Sequence, residues 1–471
     1  MTYFPNLNRL ILKELELRAD QFAQTYDKDK KSVILIPGGM GSKLLRCQAK
    51  YIPDQPFPPN PAFNEIWVSL ASLLRGGISQ IRLDSNEHDW DDHPIIAAGE
   101  MNTVVKSYDK TQEYFTQNNV NYTEFGFDWR REMRAAAGYL KTFLRMIKEK
   151  VMARDSGFDN PLRNATLFAH SMGGLVSKLL INDLIDDNEP TEDWFYRFVS
   201  LATPFFGTED HMDRYYVGVK FLNLLLGGEE KVASLVATMP GPYGLMPPPL
   251  EIIEPHFQRL GLTRYPVRDG SDPNSEADPF NIKNRPRFPL IEGSKIMADK
   301  FFFKAEDMFQ QIHRPLPDNV KERIFHLRNN LPDRKEINLE LTWANLNGAA
   351  HNFSGPSPIS NNSGAGDGAV PFWSARLADT PDNQVYPLRL GTSHGSLAED
   401  PDVLDVVNDL VQGNGLPESA TSSSRPRPTI ADDSEIENFI RDFQGGRIDD
   451  HALATASAPL KRGLIKSLSL C

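Results

Sequence analysis

Apolar positions first recur at helical spacing. In NLNRLILKELELRADQF, leucines interleave with Glu and Arg, so residues 1–30 read as an amphipathic helical segment. The pattern then shortens. KSVILIPGG (31–39) is a β-branched apolar run closed by Pro and Gly, which predicts a buried parallel strand feeding a loop. NYTEFGFDWRRE (121–132) predicts a second, aromatic-rich strand, and a helix follows from Met133 to about Met152. NATLFAHS predicts a third strand, MGGLVSKLLINDLI a helix, and FYRFVSLATPFFG (195–207) a fourth strand. Strands alternating with helical runs predict an α/β protein, a mainly parallel central sheet with helices on both faces.

Two insertions interrupt this rhythm within a catalytic domain spanning 31–411. The first, about 48–102, is rich in Pro, Asp and Asn; the second, about 208–287, holds VGVKFLNLLLGGEEKVASLVATMP. Its apolar cluster, with Phe221, Leu224 and Leu225 ahead of a Gly-Gly pair, suits a cap or lid hinged at the glycines. Residues 412–432 have linker composition. In the tail, 433–471, DSEIENFIRDFQGG puts Ile436, Phe439, Ile440 and Phe443 on one helical face, with Ser434 and Glu437 as a capping box. Such a face docks on the chain's own domain or on a protein partner; a disordered tail with incidental periodicity is the alternative reading. No internal repeat is visible.

Of the 471 residues, 40% are hydrophobic and 24% charged, which describes a globular chain with ample core. A net charge of −12 argues against nucleic acid as a partner. Two cysteines, Cys47 and Cys471, leave a disulfide framework implausible and a metal–thiolate site excluded. No cofactor or metal is expected. The N-terminus lacks the basic and apolar regions of a signal peptide, and no run could span a bilayer, so a cytoplasmic location is the expectation.

The chemistry gathers around LFAHSMGGLV (167–176), where Ser171 follows a strand and opens a helix among small residues. A nucleophile elbow of the α/β-hydrolase type needs this: the turn is so sharp that positions two before and two after the serine must be small. Here they are Ala169 and Gly173, an A-x-S-x-G pattern. A serine hydroxyl needs a base, and the base a carboxylate to orient it. Chain order places acid and then base after the serine. Asp367 in the Gly-rich turn SGAGDGAVPFWSA, and His394 in LGTSHGSLAEDPDVL, meet that order. Competing bases are His313, His326 and His351, and fallback acids are Asp379 and Asp382. His170, adjacent to the serine, is expected to point away from it. Oxyanion donors are expected at Met172, just after the serine, and at Gly39 or Met40 in IPGGMGSKL, where glycines let the backbone approach closely.

Together, IPGGMGSKL, NEIWVSL, FGFDWRRE, AHSMGGLV, LATPFFGT, MPGPYGLMP, GDGAVPFWS and SHGSLAEDPDVL resemble, in order, the lecithin:cholesterol acyltransferase family. That family includes lysosomal phospholipase A and phospholipid:diacylglycerol acyltransferase. The resemblance spans about residues 33–410. It implies an α/β-hydrolase with Ser171, Asp367 and His394 as triad and Met172 with the Gly39–Met40 loop as oxyanion hole. It further implies that Trp67 lines a membrane- or acyl-binding region, and that the segment after Gly207 is a lid touching membrane transiently. The implied activity is transfer of an acyl chain from a phospholipid to water or an alcohol. The chain departs from the animal members in having neither a signal peptide nor paired cysteines, and its long tail has no counterpart. An esterase or amidase for a soluble substrate is the alternative, and a non-catalytic binding protein of the same fold the third reading.

Overall fold

In the computed structural model, alternation along the central strands sorts the core into two layers. Strand β1 (Ser32–Ile36) sends Ile34 and Ile36 to one layer and Val33 and Leu35 to the other. Strand β6 (Ala165–His170) repeats this with Leu167 and Ala169 against Phe168. Both strands are buried along their whole length, as strands covered on both faces must be. The structure describes residues 5–52, 57–67, 77–84, 86–89, 91–100, 108–154, 157, 159–208, 235–269, 272–276, 278–281, 295–330, 338–344, 352–359, 366–418, 421–422, 433–444, 447, 452, 456–457 and 459–460.

The first layer is covered by α1 (Pro5–Thr25), α3 (Met133–Arg154), α4 (Met172–Asp186) and α5 (Lys295–Ile312). The second lies under α2 (Asp109–Gln117) and α6 (Pro401–Gln412). Between them runs a seven-stranded sheet in the order β14-β13-β10-β7-β6-β1-β5. Its other members are β5 (Asn121–Glu124), β7 (Arg197–Leu201), β10 (Ile324–Asn329), β13 (Val385–Arg389) and the two-residue β14 (Thr421–Ser422). All its pairings are parallel. This is the α/β-hydrolase class of architecture, with helices on both faces. Functional groups in such sheets gather at the carboxyl ends of the strands.

The insertions build structure of their own. The region of 48–102 contributes β3 (Phe63–Trp67) and β4 (Ile95–Glu100), which flank β2 (Ser42–Cys47) in an antiparallel sheet. Within 208–287, Met239, Tyr243 and Met246 are fully buried and β8 (Val267–Asp269) and β9 (Asp272–Glu276) enter a four-stranded sheet with β11 (Asn338–Ala344) and β12 (Asn352–Ile359). Phe221, Leu224, Leu225 and the Gly-Gly pair lie outside the described residues.

One expectation needs revision and another is narrowed. The linker stretch supplies β14, because edge pairing uses backbone groups and needs no apolar pattern. The tail helix α7 (Asp433–Gln444) buries Ile436, Ile440 and Phe443 in the first core layer. Its apolar face is therefore taken up by the chain's own domain, one of the two docking places the pattern allowed. Among the described residues no helix is long and apolar enough to cross a membrane.

Candidate active site

The serine elbow is strained in the way a nucleophile elbow should be. Ser171, between β6 and α4, has φ 53° and ψ −127°, and its N–H donates to the Leu201 carbonyl at 2.9 Å. Met40 (φ 62°) and Ala202 (φ 49°), just past β1 and β7, are also left-handed, so three such residues lie past the carboxyl ends of adjacent central strands. The small neighbours have a measurable cause. A Cβ on Gly173 would lie 2.4 Å from the Ile36 oxygen and 2.5 Å from that of Pro37. The helix can thus start against the β1 loop only with glycine there. Ala169 fits, fully buried in the first layer.

The structure brings Ser171, His394 and Asp367 together from three separate loops. His394 Nε2 stands 2.8 Å from Ser171 Oγ, and its Nδ1 2.6 Å from Asp367 Oδ2. Asp367 is 1% exposed, and its other oxygen accepts N–H bonds from Ala369 (3.0 Å) and Val370 (2.8 Å). The His394 N–H donates to the Asp367 carbonyl at 3.1 Å, so the two loops are tied by backbone as well as side chain. Such a line can carry a proton from hydroxyl to imidazole while the carboxylate holds the ring in register.

Opposite the serine, the β1 loop closes a turn in which the Gly41 N–H donates to the Gly38 carbonyl at 3.0 Å. Trp67 Nε1 donates to the Met40 carbonyl at 2.8 Å, and its ring meets Trp129 edge-on at 5.3 Å. Trp67 is only 2% exposed. In this conformation it props the loop from inside and cannot meet a membrane, which corrects that half of its expected role.

The other candidates lie elsewhere. His326 bridges Ser200 (2.6 Å) and Thr380 (2.9 Å) inside the sheet, where burial, then Arg376 and Arg328, push its pKa down to about 3. His313 stacks on Phe206 at 4.1 Å, its pKa lowered to about 3 by burial first. Asp382 pairs with Arg376 and Arg259, and Asp379 lies near Lys321. His351 is outside the described residues.

Sequence reasoning missed two features. His170 does not turn away from the site: its ring lies 4.7 Å from that of His394, centroid to centroid. Its Nδ1 is hydrogen-bonded to the Tyr108 hydroxyl at 2.9 Å, and no motif singles out that tyrosine. The second is a buried ion cluster beneath the FGFDWRRE loop, where Asp128 and Asp89 share Arg130 and Arg131. Burial alone would raise the Asp128 carboxyl, but the two guanidiniums outweigh it and hold it below the usual carboxylate range. The sequence signal was the DWRR run itself, charged residues within an otherwise aromatic segment.

With this geometry in view, the chain can be compared with known proteins. Residues 89–309 match the lecithin:cholesterol acyltransferase family model. The matched region contains the elbow and the DWRR loop and stops short of Asp367 and His394. The lecithin:cholesterol acyltransferase match is consistent with an ester-acting hydrolase or acyltransferase built on an α/β-hydrolase sheet. No curated protein matches the chain. Among solved structures, one match is "The crystal structure of Tle4-Tli4 complex", at 14% identity and TM-score 0.49, covering 82% of this chain and 99% of that one. A likeness so distant says nothing about the site.

Proposed function

We propose that the chain is a serine-dependent lipid-ester hydrolase or O-acyltransferase working through an acyl-enzyme on Ser171. The observation that carries this is the Ser171–His394–Asp367 hydrogen-bond line at a strained elbow. Ser171 Oγ attacks the ester carbonyl while His394 Nε2 takes its proton. The same imidazole then protonates the departing alcohol, leaving the acyl group on the serine. Water or a second alcohol, deprotonated by His394, releases the acyl chain as acid or as new ester. Throughout, Asp367 holds the imidazole in its productive tautomer.

The tetrahedral intermediate needs N–H donors. Met172 opens α4, so its N–H has no intrahelical acceptor. The Gly38 N–H already donates to the Tyr108 hydroxyl at 2.9 Å, so the loop's share falls to Gly39 and Met40. The choice of lipid substrate rests on the matched family, together with the apolar run from Val217 to Leu226 in the second insertion.

The test is incubation with vesicles of mixed phospholipids, with and without a long-chain alcohol, followed by mass analysis of the lipids. Lysophospholipid plus fatty acid, and new ester when alcohol is present, are expected. Cleavage of soluble esters with no phospholipid turnover would replace the lipid assignment. No ester cleavage of either kind would overturn the enzyme reading.

A further inference from the structure

Around the Ser171 line sits a second chain of contacts with no part in the proton transfers above. The Tyr108 hydroxyl accepts the Gly38 N–H at 2.9 Å and is bonded to His170 Nδ1 at 2.9 Å. The His170 ring then lies against the His394 ring, 4.7 Å between centroids and tilted by 35°. Tyr108 and His170 are each 3% exposed. The packing leaves little slack. A Cβ on Gly38 would stand 3.0 Å from the Ser171 Cβ, 3.4 Å from His170 Nδ1 and 3.5 Å from the Tyr108 hydroxyl oxygen. Gly38 therefore slots between nucleophile, histidine and tyrosine, with its N–H held by the last of these.

We infer that Tyr108 and His170 are positioning residues, which lock the oxyanion loop and the base His394 into one register around Ser171. The inference rests on the proposed serine chemistry. Each end of the chain has a defined task. Tyr108 satisfies a buried Gly38 N–H that would otherwise be orphaned, and so fixes the turn carrying Gly39 and Met40. His170 supplies a flat wall that limits swing of the His394 ring about its bond to Asp367. Burial, and then the neighbouring His394, hold the His170 pKa well below its ordinary value. The wall is thus neutral and does not repel the imidazolium that forms on His394 during turnover. Because both side chains are buried behind the loop and the base, their loss should act on the rate of the chemical step and leave binding unchanged.

The experiment measures inactivation by a fluorophosphonate and turnover of a soluble p-nitrophenyl ester in the full chain, alongside melting temperature. Tyr108→Phe should lower the inactivation rate and kcat by at least tenfold, with KM within about twofold. His170→Ala should be slower still. His170→Phe keeps the ring and His170→Gln keeps an acceptor for Tyr108, so each should restore part of what His170→Ala loses. Rates within twofold of wild type in Tyr108→Phe and His170→Ala would overturn the inference. So would a rate loss that neither His170→Phe nor His170→Gln relieves, or one that tracks a fall in folded fraction across all four variants. Ser171→Ala separates this from the reading beneath it. Wild-type labelling that vanishes in Ser171→Ala upholds the serine chemistry whatever the four variants do. Absence of wild-type labelling would overturn both.

Discussion

Gly173→Ala adds one methyl group at a crowded point of the site, between the start of α4 and the end of β1. The new Cβ would sit 2.4 Å from the Ile36 oxygen and 2.5 Å from the Pro37 oxygen, both backbone atoms that cannot rotate away. Ordinary carbon–oxygen contact therefore requires the start of α4 and the β1 loop to part by roughly 1 Å. Those are the two segments that present Met172 and the Gly39–Met40 turn. A displacement of about 1 Å in catalytic geometry costs on the order of 10²-fold in rate. Overpacking of this kind also costs about 1–3 kcal/mol of stability. Steady-state kinetics on a soluble ester should show kcat falling about 100-fold with KM nearly unchanged, and calorimetry a lowered Tm. Gly138→Ala is the control, since nothing lies within 4 Å of its Cβ position on α3. It should leave kcat alone and raise stability by about 0.5–1 kcal/mol. Wild-type kcat in Gly173→Ala at an unchanged Tm would refute the close approach of helix and loop.

The remaining predictions concern the base, the acid limb of stability and the insertion. Asp367→Asn and His394→Ala should each lose on the order of 10⁴-fold or more in kcat, read from ester hydrolysis, with native circular dichroism; near-normal rates in either would remove it from the mechanism. The buried His326, at about 3, stays neutral where an unfolded histidine near 6.5 gains a proton. Its contribution to stability is complete above about pH 6.5 and declines as pH falls toward 3, so about 2 kcal/mol goes between pH 7 and 5. Urea denaturation of His326→Gln should show a decline over that interval smaller by about that amount, and equal declines would contradict the burial. Replacing Leu224 and Leu225 with Ser should weaken liposome binding and phospholipid turnover while soluble-ester hydrolysis and Tm hold; a collapse of Tm would assign those leucines to the core, at about 2–5 kcal/mol each.

The middle of the parallel sheet was legible because β1 and β6 are short, buried and mainly apolar runs set between helical ones, whereas β10 and β13, with His, Arg and Pro in their runs, were not read as strands. VILI and TLFAH leave little else for the chain to do there. The site residues were legible for a different reason. Gly and Ala around Ser171, and Gly366 and Gly368 around Asp367, mark backbone that must bend or approach closely. The structure gives Gly366 a φ of 90° and Gly368 a φ of 98°. What stayed hidden depends on contacts between distant residues of ordinary type. Tyr108 lies in KSYDK, where nothing distinguishes it, and its role exists only because α2 carries it beside the β1 loop. His170 misled because neighbours along an ideal strand face opposite ways. The tight turn at Ser171 breaks that rule and folds both side chains toward His394. Trp67 was read through its family resemblance as lining a membrane- or acyl-binding region. The sheet that buries it is formed by an insertion whose Pro- and Asp-rich composition hid two strands.

The account turns on Ser171 being the residue that takes the acyl group. Reacting the wild-type chain with a fluorophosphonate, digesting it and locating the adduct by tandem mass spectrometry tests that claim most directly. One adduct per chain, on the peptide containing Ser171 and absent from Ser171→Ala, is the predicted result. An adduct on any other residue, or equal labelling of the Ser171→Ala chain, would contradict it.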